Sequence, residues 1–147
     1  MEQLRQGRRF LHEHPWSARS WVLPCMQEVM SHPSVELVQG HMCQFRMTTH
    51  IDKKDGERGL VKQPTGFLSS SRCVRQELDR KCTVGHAHVP LVGGRAAGAQ
   101  VYSQLLCEAI CRGVARQQKE DASMGVSTMK MSDDEVRSFS HCICNLQ

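Results

Sequence analysis

A chain of 147 residues is long enough for one domain with a real core. Its hydrophobic content of 39% and its few aromatics are low for a globular chain, so the expectation is a small core with ragged ends. The formal charge of +4, from 19 basic and 15 acidic residues, permits a nucleic-acid partner without requiring one, and no apolar run is long enough to cross a membrane.

The opening MEQLRQGRRF carries the densest basic stretch, Arg5, Arg8 and Arg9, which reads as a solvated segment. It lacks the apolar centre of a signal peptide. Eight cysteines would suit a disulfide scaffold, but several sit at helical positions beside Leu and Ile. Reduced thiols in an intracellular protein, nuclear or cytoplasmic, are therefore expected.

Arg9 to His12 reads as a short strand that stops at Glu13-His14-Pro15, because proline cannot continue a ladder. Trp16 to Leu23 is a turn with two tryptophans. Pro24 suits the first position of a helix whose apolar face is Met26, Val29 and Met30, ended by His32-Pro33. Val35 to Val38 is a second strand. Strand, helix, strand suggests a parallel unit joined by a crossover. Thr48 to Gln63 is polar and reads as a loop around Lys53-Lys54-Asp55-Gly56.

Ser69-Ser70-Ser71 offers caps for a helix to about Lys81, with Val74 and Leu78 four apart. Gly93-Gly94 and Gly98 precede the most regular segment, where Val101, Leu105, Ala109 and Val114 mark one helical face with Leu106 and Ile110 beside it. From Gln117 onward the pattern is lost, and a disordered tail is expected. The fold class is thus α/β: a partial, mainly parallel sheet with flanking helices over residues 1–117, and a disordered polar tail over 118–147.

Three constellations bear on chemistry. Glu13, between His12 and His14 at a strand end, could hold a substrate N–H or donate a proton; a plain polar strand terminus is the competing reading. Cys82, His86 and His88 lie within seven residues and supply three zinc-type donors. Cys43 is the natural fourth ligand, and Cys73 an alternative. A buried cysteine with two loop histidines is the simpler interpretation of the same residues. Leu91-Val92-Gly93-Gly94-Arg95 lacks the residues of a phosphate loop and reads as a turn. Cys107 and Cys111, four apart on the last helix, read as packing.

In order, several short motifs resemble a segment of Ty1/copia-like pol polyproteins from protist genomes. They are Gly7 to Pro15, Ala18-Arg19-Ser20-Trp21, Cys43-Gln44-Phe45, Pro64 to Ser71, Cys82, His86, His88, Gly93-Gly94-Arg95, Ala99, Tyr102 and Leu106 to Ile110. The likeness spans about residues 7–117. That family's segment in turn resembles the second half of cytosine-5 DNA methyltransferases. By this resemblance Glu13 is the vestigial counterpart of the glutamate that grips the flipped base. The Pro-Cys loop that supplies the nucleophile and a Gly-rich loop for S-adenosylmethionine are not found in these residues. The resemblance therefore implies a truncated methyltransferase-like fragment without activity or cofactor. The alternative is a small zinc-stabilised module that binds nucleic acid or protein.

Overall fold

Residues 2–51, 57–83, 85–92 and 101–125 are described by a computed structural model. Their elements, in chain order, are α1 (Glu2–Arg5), β1 (Leu11–Pro15), α2 (Pro24–Met30), β2 (Glu36–His41), β3 (Thr48–His50), β4 (Arg58–Leu60), β5 (Pro64–Ser69), α3 (Arg72–Leu78) and α4 (Gln104–Ser123). Short 3₁₀ turns at Arg19–Val22 and Met42–Phe45 lead out of β1 and β2.

The sheet that carries the core has the order β1-β5-β2, and β3 pairs with β4 in a second sheet. Every pairing in both is antiparallel. The expected mainly parallel sheet does not form. The two strands read from the sequence do run in the same direction, since each is antiparallel to β5, but β5 lies between them. The sequence suggests parallel neighbours because its strand–helix–strand order is visible and β5 is not.

That strand was invisible for a physical reason. It is buried on both faces from Thr65 to Ser69, so it lacks the alternation of a half-exposed strand. Phe67 faces one cluster, with Met42, Phe45, Met47, Val61, Val74, Leu78, Leu106 and Ala109. Leu68 faces the other, with Trp21 and Val35. Gly66 is required where Trp21 crosses the sheet: a Cβ there would stand 2.8 Å from the indole. The sheet is therefore covered on one side by α3 and α4, and on the other by α2 and the Trp21 turn.

Pro15 does not end β1 early. Trp16 N–H donates to Pro64 O at 3.0 Å, and Pro15 stands opposite Thr65. Pro15 thus falls at a position whose N–H would point away from β5, where a proline removes no ladder bond. The stretch read as a loop from Thr48 to Gln63 contains β3 and β4, which pair Thr48 with Leu60 and His50 with Arg58. Its centre, 52–56, lies outside the described residues.

The helices follow their caps. Pro24 opens α2 as expected. Ser71 caps α3 by accepting a hydrogen bond from Val74 N–H at 3.2 Å, and Ser103 caps α4 by accepting from Leu106 N–H at 3.3 Å. The tail expected from residue 118 is instead helix as far as Ser123, and residues 126–147 lie outside the described ones. The buried stripe of α4 comprises Leu106, Cys107, Ala109, Gly113, Gln117 and Asp121; it includes the expected Ala109 and Leu106, whereas the expected Val101 and Leu105 are exposed. Its polar members are satisfied. Gln117 Oε1 accepts from Ser71 Oγ at 2.9 Å, and its Nε2 donates to Asp121 Oδ1 at 3.1 Å. Glu77 of α3 accepts from Arg112 and Arg116 of α4. Burial would raise its carboxyl, but the Arg116 and Arg112 bonds outweigh that and hold it below its ordinary value.

Candidate metal centre

At the end of β2 the chain enters the Met42–Phe45 turn, which sends Met42 and Phe45 into the core and buries Cys43 with them. Arg46 then adopts a left-handed conformation with φ 54°, and its N–H donates to Cys43 O at 3.1 Å. The turn fixes Cys43 beneath the end of the sheet.

Beyond α3 the chain returns to the same place. His41 N–H donates to Arg80 O at 2.9 Å, and Cys82 N–H donates to His41 Nδ1 at 2.8 Å. Gly85 then takes φ +136°, a conformation that side chains disfavour, and turns the segment back over Cys82. Val89 N–H closes the turn on Leu60 O of β4 at 2.8 Å.

The result brings together the three residues that the spacing suggested, Cys82, His86 and His88, and Cys43, the fourth ligand expected for them. Donor atoms of Cys43, Cys82, His86 and His88 lie within 4.8 Å of one another. Cys82 Sγ is 3.5 Å from His88 Nε2 and 3.6 Å from His86 Nε2. A tetrahedral zinc ion with usual Zn–S and Zn–N bond lengths requires a sulfur–nitrogen separation of about 3.6 Å. The two imidazoles meet edge to face, 4.6 Å between centroids, so both nitrogens reach the sulfur without stacking.

The donors also act on one another. One thiol hydrogen cannot serve two imidazoles at once. Cys43 is raised above its ordinary value, by burial first and then by the neighbouring Cys82 thiol. His88 is lowered, by desolvation and then by the charges of His86 and Lys62, which favours the neutral imidazole that a metal needs. The cluster is one that could hold a metal ion.

His41 was not singled out by sequence reasoning. Its ring accepts the Cys82 amide at Nδ1 and so orients the Cys82 backbone. It is lowered by burial, then by Lys62, Lys81 and His88. The only signal in the sequence was its place two residues before Cys43, which becomes meaningful only once Cys82 is known to lie beside it. Cys73, the alternative fourth ligand, is fully buried on α3 and stands outside the four-residue cluster.

Glu13 is elsewhere and engaged. Tyr102 O–H donates to its Oε2 at 2.9 Å. Burial and the Glu13 charge push the phenol well above its ordinary value, so it remains the donor. His12 and His14 point to the opposite face, where both pack edge-on against Trp21 at 5.5 and 6.0 Å. The three adjacent residues therefore do not form one site. A separate cavity of about 420 Å³ lies between the start of β1 and α4; its walls include Phe10, Val74 and Ile110, and Arg9 and Asp121 at its rim satisfy each other. Gly93-Gly94-Arg95 and Cys142 and Cys144 lie outside the described residues.

Comparison with family models, curated proteins and solved structures gave no match. No helix among the described residues is long and apolar enough to cross a membrane.

Proposed function

We propose that this chain is a small binding module whose lower edge is held by a structural zinc ion on Cys43, Cys82, His86 and His88. The observation that carries this reading is that four donors from two separate parts of the chain lie within 4.8 Å of one another. Two thiolates and two imidazoles are a preferred zinc set, and four protein ligands leave no open position for a reacting water. The ion would therefore hold structure rather than perform chemistry. It would tie the 82–89 segment, none of whose described residues is fully buried, to the turn after β2.

The partner class follows from charge. Lys62 and Lys81 both act on His41, Lys81 while paired with Asp79 at 2.7 Å, so cationic side chains stand beside the site. This supports an anionic partner, with nucleic-acid phosphate as the class proposed. The methyltransferase-like reading gains no comparable support, because the sheet is antiparallel and Glu13 is held by Tyr102.

Zinc is tested by native mass spectrometry of the chain refolded with and without the metal. One zinc per chain, with higher thermal stability in the loaded form, is the expected result. Equal stability and no bound zinc would remove the reading. The partner class is tested by retention of a labelled oligonucleotide. Binding should weaken as salt rises and weaken further in Lys62→Ala; no retention at low salt would exclude nucleic acid.

A further inference from the structure

We propose that Cys43 and Cys82 form an oxidation-sensitive pair, which peroxide converts to a disulfide with release of the metal and of the histidine turn. The proposal rests on the metal reading above and adds a modification site to it.

The two sulfurs belong to the same donor cluster, within 4.8 Å. A tetrahedral zinc would hold them about 3.8 Å apart. Both are thiols in this structure rather than members of disulfides. Their exposure differs in a useful way. Cys82 is partly exposed, whereas Cys43 is 4% exposed and belongs to the same cluster. An oxidant from solvent therefore meets Cys82 first, and Cys43 is positioned to resolve the product. Cys73 and Cys107 are fully covered in the core, and Cys25 is exposed on α2, outside the cluster.

The chemistry balances with hydrogen peroxide as the oxidant. The Cys82 thiolate attacks one peroxide oxygen and the O–O bond breaks. Cys82 becomes a sulfenic acid, and the departing hydroxide takes a proton to become water. The Cys43 thiolate then attacks the sulfenic sulfur and forms the S–S bond. The second hydroxide leaves and is also protonated to water. Two electrons pass from the two sulfurs to the peroxide, and two protons are consumed from solvent. A disulfide cannot serve as a pair of thiolate ligands. Two imidazoles alone remain, and a four-ligand zinc site is lost.

The structural consequence is local. Cys82 stays near β2 through its amide bond to His41, and Val89 stays on Leu60. What loses its tether is the turn that bears His86 and His88. Oxidation therefore converts a closed, metal-held turn into one with two exposed imidazoles.

The test uses the full chain loaded with zinc, with metal content measured before any oxidant is added. A chain that takes up no zinc at that step overturns the underlying metal reading, independently of the peroxide result. Loaded chain is then treated with hydrogen peroxide beside a colorimetric zinc chelator. Expected are release of the bound zinc, a Cys43–Cys82 linked peptide in the non-reduced digest, and faster amide exchange over residues 85–89. Thiol reductant with added zinc should restore the loaded form. Cys25→Ser, which leaves the cluster intact, should behave as wild type. Zinc released while Cys43 and Cys82 are recovered unlinked would overturn the proposal. So would zinc release in wild type that disappears in Cys25→Ser.

Discussion

Arg9 and Asp121, 112 positions apart, form a two-bond ion pair: Arg9 Nη2 lies 2.7 Å from Asp121 Oδ1, and Nε lies 3.3 Å from Oδ2. Asp121 is 1% exposed, whereas Arg9 is about one-third exposed. Arg9 also donates to Ser70 O at 3.2 Å, so one guanidinium joins the N-terminal segment, the end of β5 and the last turns of α4. The pair explains why α4 persists beyond its apolar pattern.

Its pH dependence has a definite sign. The Arg9 hydrogen bond holds the Asp121 carboxyl below its ordinary value, against the opposing effect of burial. A group with a depressed folded-state pKa contributes stability above the unfolded value, near 4, and that contribution is lost as pH falls through the folded value. Wild-type stability should therefore drop on acidification below about pH 4. In Arg9→Met the largest lowering influence is gone, and burial should dominate and raise the carboxyl. That variant should be less stable at neutral pH by about 1–3 kcal/mol, discounted for the exposure of Arg9. It should regain part of the loss as the solution is acidified toward pH 4 to 5. Urea unfolding across pH checks both slopes; parallel curves for the two proteins would contradict them.

The α3–α4 contact depends on a position with no side chain. A Cβ on Gly113 would meet Val74 Cα at 2.6 Å, which is backbone and cannot give way cheaply. Gly113→Ala should destabilise the fold by about 1–3 kcal/mol despite the better helix propensity of alanine. A chemical-denaturation midpoint equal to or above wild type would show that the two helices are not this close.

Tyr102 and Glu13 supply a milder test. Tyr102→Phe removes the hydrogen bond and keeps most of the packing. The expected cost is about 1 kcal/mol, as for a typical buried bond. A neutral result in thermal melts would show that Glu13 is satisfied by solvent instead.

Much of the local structure was legible before the fold was known. Pro24 marked the start of α2 and Ser71 the cap of α3 because such signals act within one turn of helix. The donor set was legible because Cys82, His86 and His88 are close in sequence. The central strand was not, since Gly66, Phe67 and Leu68 are covered on both sides and show no period. The extension of α4 was equally hidden. Gln117 and Asp121 are buried by partners on Ser71 and Arg9, and such long-range satisfaction leaves no periodic trace. Without β5 the sheet direction could not be inferred correctly.

The metal centre makes its own mutational prediction. His88→Ala should remove one of four donors while leaving the fold of the remaining sheet intact. Zinc affinity should fall by at least about 100-fold, beyond what the loss of an outer partner alone causes. The zinc-dependent gain in melting temperature should vanish with it. His41→Ala should weaken zinc less, by about 10–100-fold, because His41 orients Cys82 rather than contacting the ion. Competition against a fluorescent zinc chelator measures both.

The most direct measurement is X-ray absorption at the zinc edge of the loaded chain. The account predicts a first shell of two sulfurs at about 2.3 Å and two nitrogens at about 2.0–2.1 Å, with imidazole scattering behind the nitrogens. Replacing Cys43 by Ser should reduce the sulfur count to one. A shell of oxygen and nitrogen only, or two sulfurs that persist in Cys43→Ser, would contradict the assignment of Cys43, Cys82, His86 and His88 as the metal centre.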